Sequence, residues 1–139
     1  GPEVSIFKKQ AEGCAAIKFV GFQNEPFDYI NQSDIFLQPT YHEGFSVALV
    51  EACMLEMPII ATNVGGNVEI INDNENGLLV KSRDTDSLQE AMEKLYSDKP
   101  LRLRLAKNAR KTYEDGFAIG TLVKNHYIPV YLGRNNEKN

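Results

Sequence analysis

The chain is poor in the residues that build metal centres and disulfide scaffolds. Its 139 residues include two cysteines, two histidines and no tryptophan. Cys14 and Cys53 stand alone, without the spacing of a zinc or redox motif, and Cys53 lies in an apolar run where a buried thiol is expected. These observations exclude a disulfide scaffold and are compatible with the reducing cytoplasm. We expect no metal to be held by this chain.

Long apolar runs and basic runs are also missing. No apolar stretch is long enough to span a bilayer, and no signal-peptide pattern opens the chain. Acidic residues outnumber basic ones by 19 to 15, and the net charge is −4. We therefore expect no nucleic acid partner, because no basic run with interleaved aromatic residues is present. A hydrophobic content of 42% with 24% charged residues is typical of one globular domain.

Short apolar segments alternate with helical ones along the first 80 residues. Four strands are predicted, at residues 16–20, 34–38, 59–62 and 77–80. Strands separated by helices favour a parallel sheet with right-handed crossovers. Beyond these strands only helices are predicted: one capped by Asp84, one opening at Pro100 and one around residues 122–130. The fold class is therefore α/β, a Rossmann-like parallel sheet with flanking helices and a helical C-terminal part.

One carboxylate interrupts the most apolar of the predicted helices. Glu51 lies within residues 47–55, where the other eight side chains are small or apolar, and Ser46 is a suitable N-cap. A carboxylate on such a face must accept hydrogen bonds or take up a proton. A second acid, Glu43, stands eight positions earlier, in the turn that leads into the helix. With the N–H groups of the helix N-terminus, this pair suits a ligand that carries hydroxyl groups and phosphate.

The order of these signals resembles the C-terminal domain of retaining, nucleotide-sugar-dependent glycosyltransferases of the GT-B type, in the family-4 or group 1 class. The resemblance runs from about residue 1 to 131. It is carried by residues 34–40, Glu43-Gly44-Phe45, Glu51-Ala52, residues 58–62, Gly65-Gly66, Glu69 and residues 76–80. It implies that residues 1–132 are a donor-binding domain that is incomplete at its N-terminal side, and that residues 133–139 are a disordered tail. The opening Gly1-Pro2, in place of methionine, is expected of a piece of a longer protein.

The resemblance also implies roles for single residues. Glu43 matches the first acid of the family's paired-glutamate motif, beside the donor sugar, and is the catalytic candidate. Glu51 matches the second acid, which accepts hydrogen bonds from the ribose hydroxyls. The remaining donor-binding candidates would supply backbone N–H groups (Gly44, Phe45), a helix cap (Ser46), the surroundings of the nucleobase (Gly21, Phe22) and the shape of the cleft (Thr40, Gly65, Gly66).

For the whole protein, the resemblance implies sugar transfer with retention from a nucleoside diphosphate sugar, which is a substrate, so no cofactor is expected. The acceptor would be a hydroxyl of a glycan, a lipid or another molecule, in the synthesis of a cell-surface polysaccharide or glycoconjugate. Further expected partners are the N-terminal domain of the same protein and a second copy bound along an exposed sheet edge. The expected location is the cytoplasm, peripherally at the inner membrane face. Family enzymes hold the diphosphate with an Arg and a Lys that would precede residue 1.

Two alternatives stay open at this point. One is a binding-only module whose acids hold a nucleotide sugar without turnover. The other is a sugar-nucleotide epimerase, which shares the GT-B architecture but resembles the segment with the paired acids less well. Detection of sugar transfer, as opposed to hydrolysis or isomerisation, separates these alternatives from a transferase.

Overall fold

The centre of the fold is a sheet of three parallel strands. In the computed structural model, which describes residues 3–122, the strands follow one another across the sheet as β1 (Phe36–Gln38), β2 (Ile59–Thr62) and β3 (Leu78–Val80). Leu37 of β1 lies opposite Ile60 of β2. The predicted α/β class is confirmed, and each of these three strands falls within its predicted limits.

The predicted strand at residues 16–20 is wrong. This segment is irregular, and its side chains of Ile17, Phe19 and Val20 are between 44% and 51% exposed. An extended segment becomes a strand when a neighbour pairs with its N–H and C=O groups, and no described strand does so here. It therefore does not extend the sheet next to β1. Within residues 3–122 the outer edge of β1 is unpaired, and dimerisation along that edge stays a prediction.

Helices cover both faces of the sheet, and α3, α5 and α6 contact its strands. The helical segments are α1 (Val4–Gln10), α2 (Phe27–Asn31), α3 (Val47–Met54), α4 (Asn67–Ile70), α5 (Thr85–Ser97), α6 (Lys99–Thr112), a π-helical segment (Tyr113–Phe117) and α7 (Ile119–Leu122). The helices predicted after Ser46, Asp84 and Asp98-Lys99-Pro100 are confirmed as α3, α5 and α6. The last predicted helix and the predicted tail fall beyond residue 122, outside the described residues. Within the described part, every helix is too short or too polar to cross a membrane.

Alternate residues of β2 face two different apolar clusters. Ile59 and Ala61 pack with Leu49 of α3 on one face of the sheet. Ile60 packs on the opposite face with Leu95 of α5. All residues of β2 are buried, as is typical of a parallel strand that is covered on both faces. This packing fixes the carboxyl ends of the strands, from which the loops of the candidate site depart.

Candidate functional site

The loop between β1 and α3 carries the first of the two acids. Ser46 is 2% exposed, and its hydroxyl accepts a hydrogen bond from the Leu49 N–H at 3.3 Å, which fixes the start of α3. Gln38, the last residue of β1, donates a hydrogen bond from its side-chain amide to the Glu43 carboxylate at 3.2 Å. Glu43 is half-buried. The strand end and the helix cap therefore place this carboxylate at the carboxyl edge of the sheet.

Two consecutive glycines bring the loop after β2 against the backbone of Glu43. The Gly66 N–H donates a hydrogen bond to the Glu43 carbonyl oxygen at 2.9 Å. A Cβ atom on Gly65 would lie 1.9 Å from that same oxygen, and one on Gly66 would lie 2.0 Å from the carbonyl oxygen of Gly44. Gly65 also has φ +43°, in the left-handed region that favours glycine. The two loops thus meet backbone against backbone, and neither glycine position has room for a side chain.

Buried polar side chains join the same two loops. The Thr62 hydroxyl donates to the Thr40 carbonyl oxygen at 2.6 Å, and the Asn67 side-chain amide donates to the Thr62 carbonyl oxygen at 2.9 Å. Asn67 is fully buried, and its side-chain oxygen has no hydrogen-bond partner among the described residues. The sequence analysis missed Asn67, although a polar residue directly after two glycines at a helix start was the available signal.

The loops after all three strands border one open cleft of about 720 Å³. It lies at the carboxyl ends of the strands, where ligands collect in sheets of this kind. Its lining residues are Tyr41, His42, Glu43, Gly44, Val64, Gly65, Ser82 and Arg83. Glu43 and Gly65 therefore lie at the same edge of the sheet.

The second acid lies outside the lining of this cleft. Glu51 is in the second turn of α3 and is half-buried, in contrast to the buried position that its apolar neighbours suggested. Within residues 3–122 its carboxylate makes no side-chain hydrogen bond or ion pair. Phe45 is also absent from the lining of the cleft. The centroid of its ring lies 6.0 Å from that of Phe117.

The two residues expected near the nucleobase are also separate from the cleft. Gly21 and Phe22 line another pocket, of about 560 Å³, together with residues such as Val4 and Lys8. The Phe22 side chain is 90% exposed. The structure therefore brings Glu43, Gly44 and Gly65 together, whereas Glu51, Gly21 and Phe22 lie elsewhere on the described surface.

Arg83 lines the cleft, although no sequence pattern pointed to it. It follows β3, and its guanidinium carbon lies 5.2 Å from the centroid of the Tyr41 ring. Because loops that follow neighbouring parallel strands share one edge of the sheet, the position of residues 81–83 after a predicted strand was the available signal.

The described residues contain no group of three His, Cys, Asp or Glu side chains that could hold a metal ion. The buried thiol has no catalytic character either, because burial raises the pKa of Cys53 to about 12 and keeps it protonated at neutral pH. Cys53 is therefore part of the core, as expected, whereas Cys14 is an exposed free thiol.

Comparison with known proteins gives one family. The family described as glycosyl transferases group 1 matches residues 1–112. The capsular polysaccharide biosynthesis glycosyltransferase CapM of Staphylococcus aureus is 34% identical over 113 residues, which cover 81% of this chain and 29% of CapM. N,N'-diacetylbacillosaminyl-diphospho-undecaprenol alpha-1,3-N-acetylgalactosaminyltransferase of Campylobacter jejuni is 35% identical over 119 residues, which cover 84% of this chain and 30% of that enzyme. The chain thus spans less than a third of the length of these relatives.

Solved structures share the fold. The C-terminal domain of a glycosyl transferase group 1 family protein (LpcC) from Francisella tularensis is 30% identical, with a TM-score of 0.70, and the match covers 85% of this chain and 62% of that one. Anabaena Alr3699/HepE, crystallised in complex with UDP, has a TM-score of 0.83 at 22% identity, and the match covers 96% of this chain and 36% of that one. At 22% identity, the second likeness shows the fold alone.

Proposed function

Because the chain belongs to the glycosyl transferases group 1 family, we propose that it is the nucleotide-sugar-binding part of a retaining glycosyltransferase. The whole protein transfers a sugar from a nucleoside diphosphate sugar to a hydroxyl group of a glycan or lipid-linked acceptor. The names of two relatives support this class of reaction. One is a glycosyltransferase of capsular polysaccharide biosynthesis, and the other is an N-acetylgalactosaminyltransferase whose name includes a diphospho-undecaprenol compound. The complex of HepE with UDP supports the proposal that this fold binds a nucleotide.

The observation that carries the proposal is the position of Glu43 in the cleft. Its carboxylate is oriented by Gln38 and its backbone is held by Gly66. The N–H groups of Gly44 and Phe45 make no backbone hydrogen bond within residues 3–122. A sugar in the cleft can therefore donate hydroxyl hydrogen bonds to Glu43 and accept hydrogen bonds from the following N–H groups. Such preorganised groups stabilise a transition state because they need no rearrangement during the reaction.

The other acid serves a different part of the donor in this proposal. Glu51 accepts hydrogen bonds from the ribose hydroxyls, for which its carboxylate is available in α3. The N-terminus of the same helix, capped by Ser46, favours the negative diphosphate. Gly21 and the exposed ring of Phe22 border the nucleobase. We expect no metal held by this chain in the reaction.

The remaining parts of the proposal concern the whole protein. An N-terminal domain supplies the acceptor side, and the diphosphate is also neutralised by cations contributed from residues that precede this chain. The two cysteines are free thiols, which is compatible with the reducing cytoplasm, and a lipid-linked acceptor would bring the enzyme to the inner membrane face. Dimerisation along the open edge of β1 is a further proposed contact.

The test compares conservative variants of the two acids in the full-length protein, after a thermal-shift screen of nucleotide sugars has identified the donor. Loss of the Glu51 acceptor leaves ribose hydroxyls unpaired, at about 1–3 kcal/mol. Glu51→Gln should therefore raise the donor KM about ten- to hundredfold, at one tenfold step per ~1.4 kcal/mol. Glu43→Gln should mainly lower kcat, because Glu43 lies nearer the reacting sugar.

Glu90→Gln, on the exposed surface of α5, is the matched control and should leave both constants unchanged. Calorimetry should show that nucleoside diphosphate binding survives Glu43→Gln better than Glu51→Gln. The opposite order would mean that the two acids have exchanged roles. A protein that binds the donor but only isomerises it, or leaves it intact, would support the epimerase or the binding-only module instead.

A further inference from the structure

Arg83 differs from the other arginines in how its guanidinium is used. Arg102 donates to the Leu95 carbonyl oxygen at 2.6 Å, and Arg104 donates to the Asn74 carbonyl oxygen at 3.1 Å. The guanidinium of Arg110 likewise forms hydrogen bonds and an ion pair. Within residues 3–122 Arg83 alone among the arginines makes no hydrogen bond and no ion pair.

The backbone at Arg83 is unusual for an arginine. Its φ is +62°, in the left-handed region that non-glycine residues rarely occupy. Such a conformation is strained and persists where the surroundings impose it. Here the guanidinium carbon lies 5.2 Å from the centroid of the Tyr41 ring, within the range of a cation–π contact. Such a contact leaves the N–H donors of the guanidinium to a ligand.

Neighbouring charges do not neutralise this cation. Asp84 follows directly, but its carboxylate accepts a hydrogen bond from the Ser87 N–H at 3.0 Å and caps α5. Glu43 shares the cleft with Arg83, but within residues 3–122 the two side chains form no ion pair. Lys81, two residues earlier, adds positive charge to the same loop. The cleft therefore has a carboxylate at one wall and an unpaired arginine at another.

We propose that Arg83 is an anion-binding residue of the Glu43 cleft and binds a phosphate group of a substrate. The phosphate belongs either to the diphosphate of the donor or to a phosphorylated acceptor. A guanidinium suits this ligand, because its fork of N–H donors matches two phosphate oxygens at once, and the contact with Tyr41 keeps the group at the cleft. The inference rests on the proposed function, since that function supplies the phosphate-bearing substrates.

The experiment uses two variants of the full-length protein. Arg83→Asn removes the charge with a residue that tolerates positive φ, and Arg83→Lys keeps the charge but loses the fork. Arg104→Gln is the control, since Arg104 bonds the backbone of Asn74 outside the cleft. Calorimetry measures the binding of UDP, uridine and inorganic pyrophosphate. Steady-state kinetics then compare acceptors with and without phosphate.

A donor phosphate is indicated if Arg83→Asn weakens UDP binding about tenfold to hundredfold and leaves uridine unaffected. An acceptor phosphate is indicated if UDP binding is unchanged and the KM rises by the same factor for the phosphorylated acceptor alone. Arg83→Lys should fall between Arg83→Asn and the natural protein. Unchanged constants for every probe, or equal effects of Arg83→Asn and Arg104→Gln, would overturn the proposal.

Failure of the proposed function gives a different result. If the natural protein binds neither UDP nor uridine, the nucleotide-sugar proposal falls, and the pyrophosphate titration then decides the case of Arg83 by itself. Pyrophosphate binding that Arg83→Asn abolishes supports the anion site. Pyrophosphate binding that is absent, or equal in both proteins, refutes it.

Discussion

Gly66→Ala should lower both the activity and the stability of the protein, the activity because Glu43 is displaced. The added Cβ would lie 2.0 Å from the Gly44 carbonyl oxygen, whereas real Cβ contacts are essentially never closer than 3.0 Å. The two loops must therefore separate by about 1 Å before the contact is tolerable. Because φ at Gly66 is −66°, alanine fits the backbone itself, and the contact with the neighbouring loop is the only obstacle.

The separation moves the backbone that carries Glu43. It stretches the hydrogen bond from the Gly66 N–H to the Glu43 carbonyl oxygen, which contributes about 1 kcal/mol. Crowding adds about 1–3 kcal/mol. A displacement of about 1 Å at a reacting group can cost about a hundredfold in rate. We therefore expect kcat to fall by about a hundredfold while the protein still unfolds cooperatively, at a lower urea concentration.

Alanine variants of two other glycines are the controls, because they distinguish crowding in the cleft from a general loss of stability. At Gly77 an added Cβ meets Ile71 at 2.8 Å, so Gly77→Ala should also destabilise the fold, but in the core and without moving Glu43. At Gly116 the Cβ meets nothing within 4 Å among the described residues, so Gly116→Ala should change little. Urea titration and steady-state kinetics of the full-length protein give both quantities. An unchanged kcat in Gly66→Ala, or an equal loss of kcat in Gly77→Ala, would refute the reasoning.

Two further predictions concern α3. Ser46→Ala removes the side-chain cap of α3 and should lower the free energy of unfolding by about 1 kcal/mol, measured by urea titration. Ser97→Ala is the control, because Ser97 is the last residue of α5 and caps no helix start. An effect of Ser46→Ala no larger than that of Ser97→Ala would contradict the role of the cap. Iodoacetamide should alkylate the exposed Cys14 in the native protein but reach Cys53 only after unfolding, because burial raises the pKa of Cys53 to about 12 and hides its sulfur. Mass spectrometry of the modified peptides checks this, and native modification of Cys53 would show that α3 opens readily.

The parts of the fold that the sequence predicts are those set by local patterns. The apolar run of residues 59–62 predicts a buried strand, and β2 has these limits. Ser46 and Asp84 predict helix starts because their side chains satisfy the first free N–H groups, and both accept those hydrogen bonds. The assignment of Gly65 and Gly66 to the cleft came from the family resemblance, and glycine at both positions permits the close backbone approach that the structure has there.

The errors lie where the outcome depends on distant parts of the chain. Residues 16–20 have strand-like composition, but a strand also requires a partner, and composition carries no information about one. The half-exposure of Glu51 depends on which neighbours cover α3. Arg83 was not predicted as a site residue, because its role depends on its position beside Tyr41 and Glu43 in the cleft. These two residues lie some forty positions away in the sequence and come near Arg83 only after the strands have paired.

The way the cleft is built gives its two charged walls different mechanical properties. Glu43 is tied to β1 through Gln38 and to the loop after β2 through Gly66, so its position follows the register of these two strands. Arg83 lies in the loop after β3, and its contact in the cleft is the cation–π contact with Tyr41. Backbone hydrogen bonds and close packing restrict movement more than a single cation–π contact at the surface does. The acid is therefore the fixed reference of the site, and the arginine is the group that can adjust to the substrate.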